Sequence, residues 1–228
     1  MSGLVACVAA AAGLAVGVGL DLVVRRVPRG ERVTAGGWGA LRPEAGSRWR
    51  FAAVEVATAG LFAGDWLRFG ATWTLPAMAV FFAGLVALAF CDLEHFLLPR
   101  RVVYPTLAGS GAFLVAGAAA GGEWRRLGVA ASCGAVAFGV FFVLNRINPK
   151  GLGFGDVRLA GVMGLLLGWL GVTTAITGFF VASILGAVMA VALLVTRRAG
   201  RHTHLPYGVF LGAGAVVSVL AGSGFVLR

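Results

Sequence analysis

Charge is what this chain has least of. Of its 228 residues only 12% are charged, against 59% hydrophobic, and just 9 are acidic. A soluble domain carries about 25% charged residues to cover its surface, so the deficit excludes a soluble enzyme. A chain this apolar is not disordered either. Cysteine is scarce too. Cys7, Cys91 and Cys133 stand far apart, in or beside apolar runs, which indicates neither a disulfide framework nor a zinc site. The first apolar run is too long for a cleavable signal peptide and has no basic stretch before it, so none is expected.

What the chain has instead is long apolar runs. A helix needs roughly 20 mostly apolar residues to cross the hydrocarbon core of a bilayer. Eight segments qualify or come close: Leu4–Val24, Phe51–Leu67, Trp73–Cys91, Val102–Gly121, Leu127–Asn145, Val157–Leu170, Thr173–Thr196 and Leu205–Leu227. Runs of this length exclude a β-barrel. The expected fold is all-α: a polytopic membrane protein of about eight transmembrane helices, with residues 1–228 forming one domain. Gly171 is expected to separate the sixth span from the seventh. The 36 glycines fit close helix packing in lipid, and Gly161, Gly164, Gly168 and Gly171 recur at helical spacing.

The net charge of +10 would suggest nucleic acid in a soluble protein. Here no nucleic-acid partner is expected, because the basic residues sit in loops, where they set orientation and face lipid. Under the eight-span reading, 15 of the 19 Lys and Arg residues fall on one side. That asymmetry makes this side cytoplasmic and puts both termini on the extracytoplasmic side. The one long loop, Arg25–Arg50, holds seven arginines and several glycines, and reads as an irregular basic cytoplasmic connector.

The carboxylates sort by place. Glu31, Glu44 and Glu123 read as solvated loop charges, and Asp65 as a surface residue close to Arg68. Asp21, Glu55, Asp92, Glu94 and Asp156 remain. Asp92 closes the third segment and Asp156 opens the sixth, so both lie at one depth on the cytoplasmic side. Two carboxylates brought together share a proton and their pKa values split. The ionised member can then take a proton from water while the protonated one polarises a scissile carbonyl. That is aspartyl peptide hydrolysis, without metal or covalent intermediate. Gly153 and Gly155 would let an extended substrate backbone approach Asp156. The N-terminal dipole of a helix that Asp156 precedes would favour its anionic form, and Pro99 would end the extension that carries Asp92. The residues alone leave open that Asp92 and Asp156 merely mark helix ends, Asp156 as an N-cap. They also leave open a transporter with a carboxylate proton relay, although such a relay needs acidic residues at mid-bilayer.

Five stretches together resemble the type IV prepilin peptidases, polytopic aspartic proteases of the Gly-x-Gly-Asp type. Leu20-Asp21-Leu22-Val23-Val24-Arg25-Arg26-Val27-Pro28 is similar to that family's Leu-Asn-Val-Val-Ile-x-Arg-Leu-Pro, and Arg50-Phe51-Ala52-Ala53-Val54-Glu55 to its Arg-Tyr-Pro-Leu-Val-Glu. The stretch from Asp92 to Pro99 resembles the segment of its first catalytic aspartate. Gly153-Phe154-Gly155-Asp156-Val157-Arg158-Leu159 resembles the segment of its second, with Arg158 in place of the usual Lys. Leu205 to Gly212 is similar to its Pro-Phe-Gly-Pro-Phe-Leu.

The resemblance implies an aspartic endopeptidase, multi-pass in the bacterial cytoplasmic (inner) membrane. It would remove the short basic leader of a type IV prepilin or pseudopilin at the cytoplasmic face. Asp92 and Asp156 would be catalytic, with Glu55 supporting the core or the site. Glu94 is assigned a supporting or solvated role, and Asp21, where the family has an amide, ranks behind Asp92. Bifunctional members carry two Cys-x-x-Cys pairs in the first cytoplasmic loop, and Arg25–Arg50 has no cysteine. No zinc is therefore expected, and proteolysis needs no cofactor. S-adenosylmethionine would enter only if N-methyltransferase activity is retained, and that activity is not carried over. His95 lacks the partners a metal site needs, and His202 and His204, in a basic loop beside Arg201, read as a solvated loop rather than a lipid or substrate contact. Oligomeric state is left unassigned.

Overall fold

A computed structural model describes residues 2–31, 48–149, 151–196 and 206–222. Among these residues the secondary structure is entirely helical. The helices are α1 (Ser2–Arg26), α2 (Arg48–Phe69), α3 (Thr74–His95), α4 (Arg100–Gly121), α5 (Trp124–Ile147), α6 (Phe154–Leu170), α7 (Val172–Val195) and α8 (Tyr207–Ala221). Each coincides with one apolar segment of the sequence. Five of them (α1, α3, α4, α5 and α7) are long and apolar enough to cross a bilayer. Their outward faces carry large apolar side chains such as Val136, Phe180, Val188 and Leu194. Apolar residues exposed in that density belong against lipid, and the protein is a multi-pass membrane protein. Most of the Arg25–Arg50 loop, Lys150, Arg197, Arg198, Arg201, His202, His204 and Arg228 lie outside the described residues.

The chain forms two compact units, the first of residues 1–91 and 99–117, the second of residues 92–98 and 118–228. In the first, α1 and α2 run antiparallel with glycine at the contact. A Cβ on Gly13 would come 2.7 Å from the Ala59 Cα, and one on Gly17 2.8 Å from the Glu55 Cα. Small residues at such crossings let backbones approach where lipid supplies no hydrophobic drive. At their shared end Asp21 is fully buried between two arginines, Arg25 one turn along α1 and Arg50 on α2, each at 2.9 Å. These two arginines were expected as loop charges that set orientation; they are instead helical, buried and ion-paired. A carboxylate removed from water at this depth keeps its charge only with such partners. At the other end of α2 a further expectation is corrected. Asp65 is not a surface residue: it is 1% exposed, on the same helical face as Val54 and Thr58. Neither of its oxygens has a hydrogen-bond partner among the described residues, and the Arg68 guanidinium lies over the Phe69 ring instead.

In the second unit α6 is buried on nearly every side. Gly164 and Gly168 bring it against α5, where added Cβ atoms would meet the Cys133 carbonyl at 2.7 Å and the Cys133 Cβ at 2.6 Å. Gly161 faces Phe138 at ordinary tight contact. Gly171 has a different job from these three. Its φ of 139° is closed to L side chains, and it breaks the chain between α6 and α7. The α7–α8 pair repeats the small-residue device, with Gly214 pressed against the Gly178 carbonyl.

Candidate active site

The second unit brings three separate segments to one place: residues 92–98, the first turn of α6 and the first turn of α8. The α3 helix ends at His95, just past Asp92, because Phe96 adopts a left-handed φ of 51° while its N–H still reaches the Asp92 carbonyl at 2.9 Å. Left-handed backbone closes a helix at its C-terminus. Pro99, expected to end this helix, does not: it lies three residues beyond Phe96, and its carbonyl accepts the N–H groups of Val102 and Val103 at the start of α4. It belongs to the first unit.

The α6 helix starts at Phe154, ahead of the apolar run, so Asp156 does not precede the helix and is not its N-cap. Gly153 is the N-cap, and Asp156 is the third helical residue. From there its Oδ2 accepts the Gly153 N–H at 3.1 Å, satisfying one of the donors every helix start leaves over. The preceding turn is held by two asparagines that sequence reasoning passed over. Asn145 donates its amide to the Leu152 carbonyl at 2.6 Å, and the Asn148 side-chain oxygen accepts the Gly151 N–H at 3.1 Å.

Leu98 fastens these pieces together. It occupies the space beside Gly155, where an added Cβ would fall 2.6 Å from the Leu98 Cβ. It also occupies the space beside Gly208, where one would fall 3.0 Å from a Leu98 methyl. The room at Gly155, expected for a substrate backbone, is thus taken by the chain itself. On α8, a Cβ on Gly208 would lie 2.9 Å from Asp92 Oδ2, so the start of this helix packs directly against the carboxylate.

Asp92 and Asp156 are both buried, 5% and 8% exposed, and Asp156 feels the charge of Asp92. Asp156, one residue outside the apolar run 157–170, has its carboxyl pushed up to about 7. Burial is the main cause and the Asp92 charge the second, opposed by the Gly153 N–H. Each carboxylate also keeps one oxygen, Asp92 Oδ2 and Asp156 Oδ1, with no hydrogen-bond partner among the described residues. Two desolvated carboxyls, one feeling the other's charge, can share a single proton.

The other candidates fall around or apart from this pair. Arg158, one helical step past Asp156, stacks its guanidinium over the Phe154 ring at 4.5 Å. Phe138 and Phe142 face that ring edge-on. Glu94 is half-buried beside Asp92 in the sequence and belongs to the same unit. Glu55 is in the first unit, where its electrostatic neighbour is Asp21. Asp21, the positional rival of Asp92, spends its two oxygens on two arginines, the geometry of a structural ion pair. Among the described residues no three His, Cys, Asp or Glu side chains cluster as metal ligands.

A family model described as the type IV leader peptidase family matches residues 79–191, a span that contains both aspartates. The chain is 31% identical to the prepilin leader peptidase/N-methyltransferase of Bacillus subtilis, over 77% of this chain and 68% of that protein. It is 30% identical to the protein of that name in Pseudomonas aeruginosa, over 76% of this chain and 59% of the relative. The corresponding figures for Burkholderia pseudomallei are 32%, 78% and 57%. The chain thus spans less than two thirds of the latter two relatives. No solved structure matches it.

Proposed function

The chain belongs to the type IV leader peptidase family and is a protease, and from that premise we propose that it removes the leader peptide of type IV prepilins or pseudopilins with Asp92 and Asp156 as its catalytic dyad. The observation that carries this reading is the burial of these two carboxyls in one site where Asp156 senses the Asp92 charge. One aspartate, ionised, draws a proton from a water molecule as that water attacks the scissile carbonyl carbon. The other, protonated, donates to the carbonyl oxygen, and the pair then returns a proton to the leaving amine. Enclosure of the pair strengthens every such interaction relative to water.

The remaining features follow from the same reading. All eight helices span or enter the bacterial cytoplasmic membrane, with the dyad at its cytoplasmic face, where fifteen of nineteen basic residues gather. Among the other candidates, Gly153 and Gly155 hold the first turn of α6 in place and Arg158 flanks it, while Glu94 stands near Asp92. Glu55 and Pro99 support the fold of the first unit. The relatives are named as N-methyltransferases as well; the cysteine-free first loop gives no support for carrying that activity, or a need for S-adenosylmethionine, to this chain. The test is direct: the purified protein in lipid vesicles with a full-length prepilin should release the intact leader, identified by mass. An unprocessed prepilin, above all with proton flux across the same vesicles, would refute the peptidase reading.

A further inference from the structure

Asn145 stands outside the dyad but is tied to it through one peptide group. It lies half-buried in the last turn of α5 and reaches forward to the chain before α6, where its Nδ2 donates to the Leu152 carbonyl at 2.6 Å. The same peptide group continues to Asp156. A trans peptide turns its C=O and N–H to opposite sides, and no cis bond occurs among the described residues. The N–H partner of the Leu152 carbonyl is that of Gly153, and it donates to Asp156 Oδ2 at 3.1 Å. One rigid plane is thus gripped at both ends, on its carbonyl by Asn145 and on its N–H by Asp156. The other bonds of this turn run elsewhere. The Gly151 and Leu152 N–H groups reach the Asn148 carbonyl at 3.1 and 3.3 Å, and the Gly151 N–H also reaches Asn148 Oδ1 at 3.1 Å. None of these holds the 152–153 peptide.

We propose that Asn145 is a positioning residue of the dyad: by fixing the Leu152–Gly153 peptide it holds the Gly153 N–H on Asp156, a donor that favours the ionised form of that carboxyl. This rests on the peptidase reading above. An amide bonded at its carbonyl is polarised and becomes a better donor at its N–H. Without Asn145 the carbonyl turns to water, and the plane swings about a glycine that has no side chain to resist it. The N–H then leaves Asp156, whose carboxyl burial and Asp92 already push up to about 7 against the Gly153 N–H. Loss of a donor to the anion moves it further up. The charged and titratable side chains on the elements around this end of α6 are Asp92, Glu94 and His95 on residues 92–98, Arg146 on α5, Arg158 on α6 and Tyr207 on α8, while α7 carries none. Lys150 lies outside the described residues. None of these side chains is altered in the comparison that follows, so a displaced profile reports on the peptide.

The test is the pH dependence of kcat and KM for prepilin cleavage by the full chain in vesicles, in wild type, Asn145→Leu and Asn148→Ala. Leucine keeps the bulk of asparagine, adds no charge and has no donor. In Asn145→Leu the limb of kcat/KM near pH 7 should move up by about one pH unit. At the optimum kcat should fall about tenfold, with KM within about twofold of wild type. Asn148→Ala removes a bond of the same turn without touching the 152–153 peptide, and its limb should stay at the wild-type pH. The limbs belong to the coupled pair, so the displacement and not the absolute position is read. An unmoved limb in Asn145→Leu overturns the proposal whatever the rate, because a merely structural residue lowers the rate at every pH alike. A limb that moves as far in Asn148→Ala overturns it too, since the turn as a whole would then be responsible. Asp156→Asn separates the two levels: cleavage at the wild-type rate by that variant removes the dyad reading itself. An inactive Asp156→Asn beside an unmoved Asn145→Leu limb removes only the role of Asn145. Should Asn145→Leu fail to fold, Asn145→Ala, a strong helix former, carries the same comparison.

Discussion

Leu98 sits where a side chain on Gly155 would have to go, its Cβ 2.6 Å from the position of the missing one. The Asp92-bearing segment and the Asp156-bearing helix are locked to each other by this contact, and no flexible chain end is available to yield. Gly155→Ala is expected to displace residues 92–98 and to lower prepilin cleavage at least tenfold, since small misplacements of reacting groups are heavily amplified. Helical content, followed by circular dichroism in detergent, should stay at the wild-type level.

A second prediction concerns pH. The Asp156 carboxyl, raised to about 7 by burial and by Asp92, is protonated below that value and loses its proton as pH rises through it. If the acid form is the working one, kcat/KM should fall on the alkaline side with a limb near pH 7, far above the range of an ordinary aspartate. A pH–rate series on the wild-type protein checks it, and a flat profile from pH 5 to about 9 would contradict it.

How much of this was readable beforehand depends on what kind of signal each feature leaves. Hydropathy located every helix, since apolar runs of bilayer length have few other uses. It misplaced their ends where helices continue through charge: α1 runs on through Arg25 and Arg26, and α6 begins at Phe154, before its apolar run. The pairing of Asp92 with Asp156 was inferred from shared depth and from resemblance. By contrast the burial of Asp65, the sequestration of Arg25 and Arg50 by Asp21, and the packing of Gly208 against Asp92 are tertiary facts. They depend on which face of a helix meets a neighbour, and in a helix that is apolar all round the pattern does not say.

The Asp21 cluster yields a third prediction. Asp21→Ala removes the carboxylate that Arg25 and Arg50, both nearly fully buried, share. Breaking a buried ion pair from one side costs about 3–5 kcal/mol. Thermal unfolding in detergent should show a clear drop in Tm, and an unchanged Tm would mean that the two arginines find other partners.

A fourth prediction tests the glycine contact between α5 and α6. Gly168→Val places a branched side chain against the Cys133 Cβ, 2.6 Å from the position its own Cβ would take. Overpacking of this kind costs about 1–3 kcal/mol. It should lower Tm, whereas the same change at Gly139, which has open space around it, should not.

The central claim is that Asp92 and Asp156 together perform the cleavage, and the most direct measurement is the rate of prepilin processing by Asp92→Asn and Asp156→Asn in the same vesicles as wild type. Each variant should lose at least a hundredfold in rate while keeping the wild-type melting temperature to within a few degrees. Cleavage at the wild-type rate by either one would contradict the account.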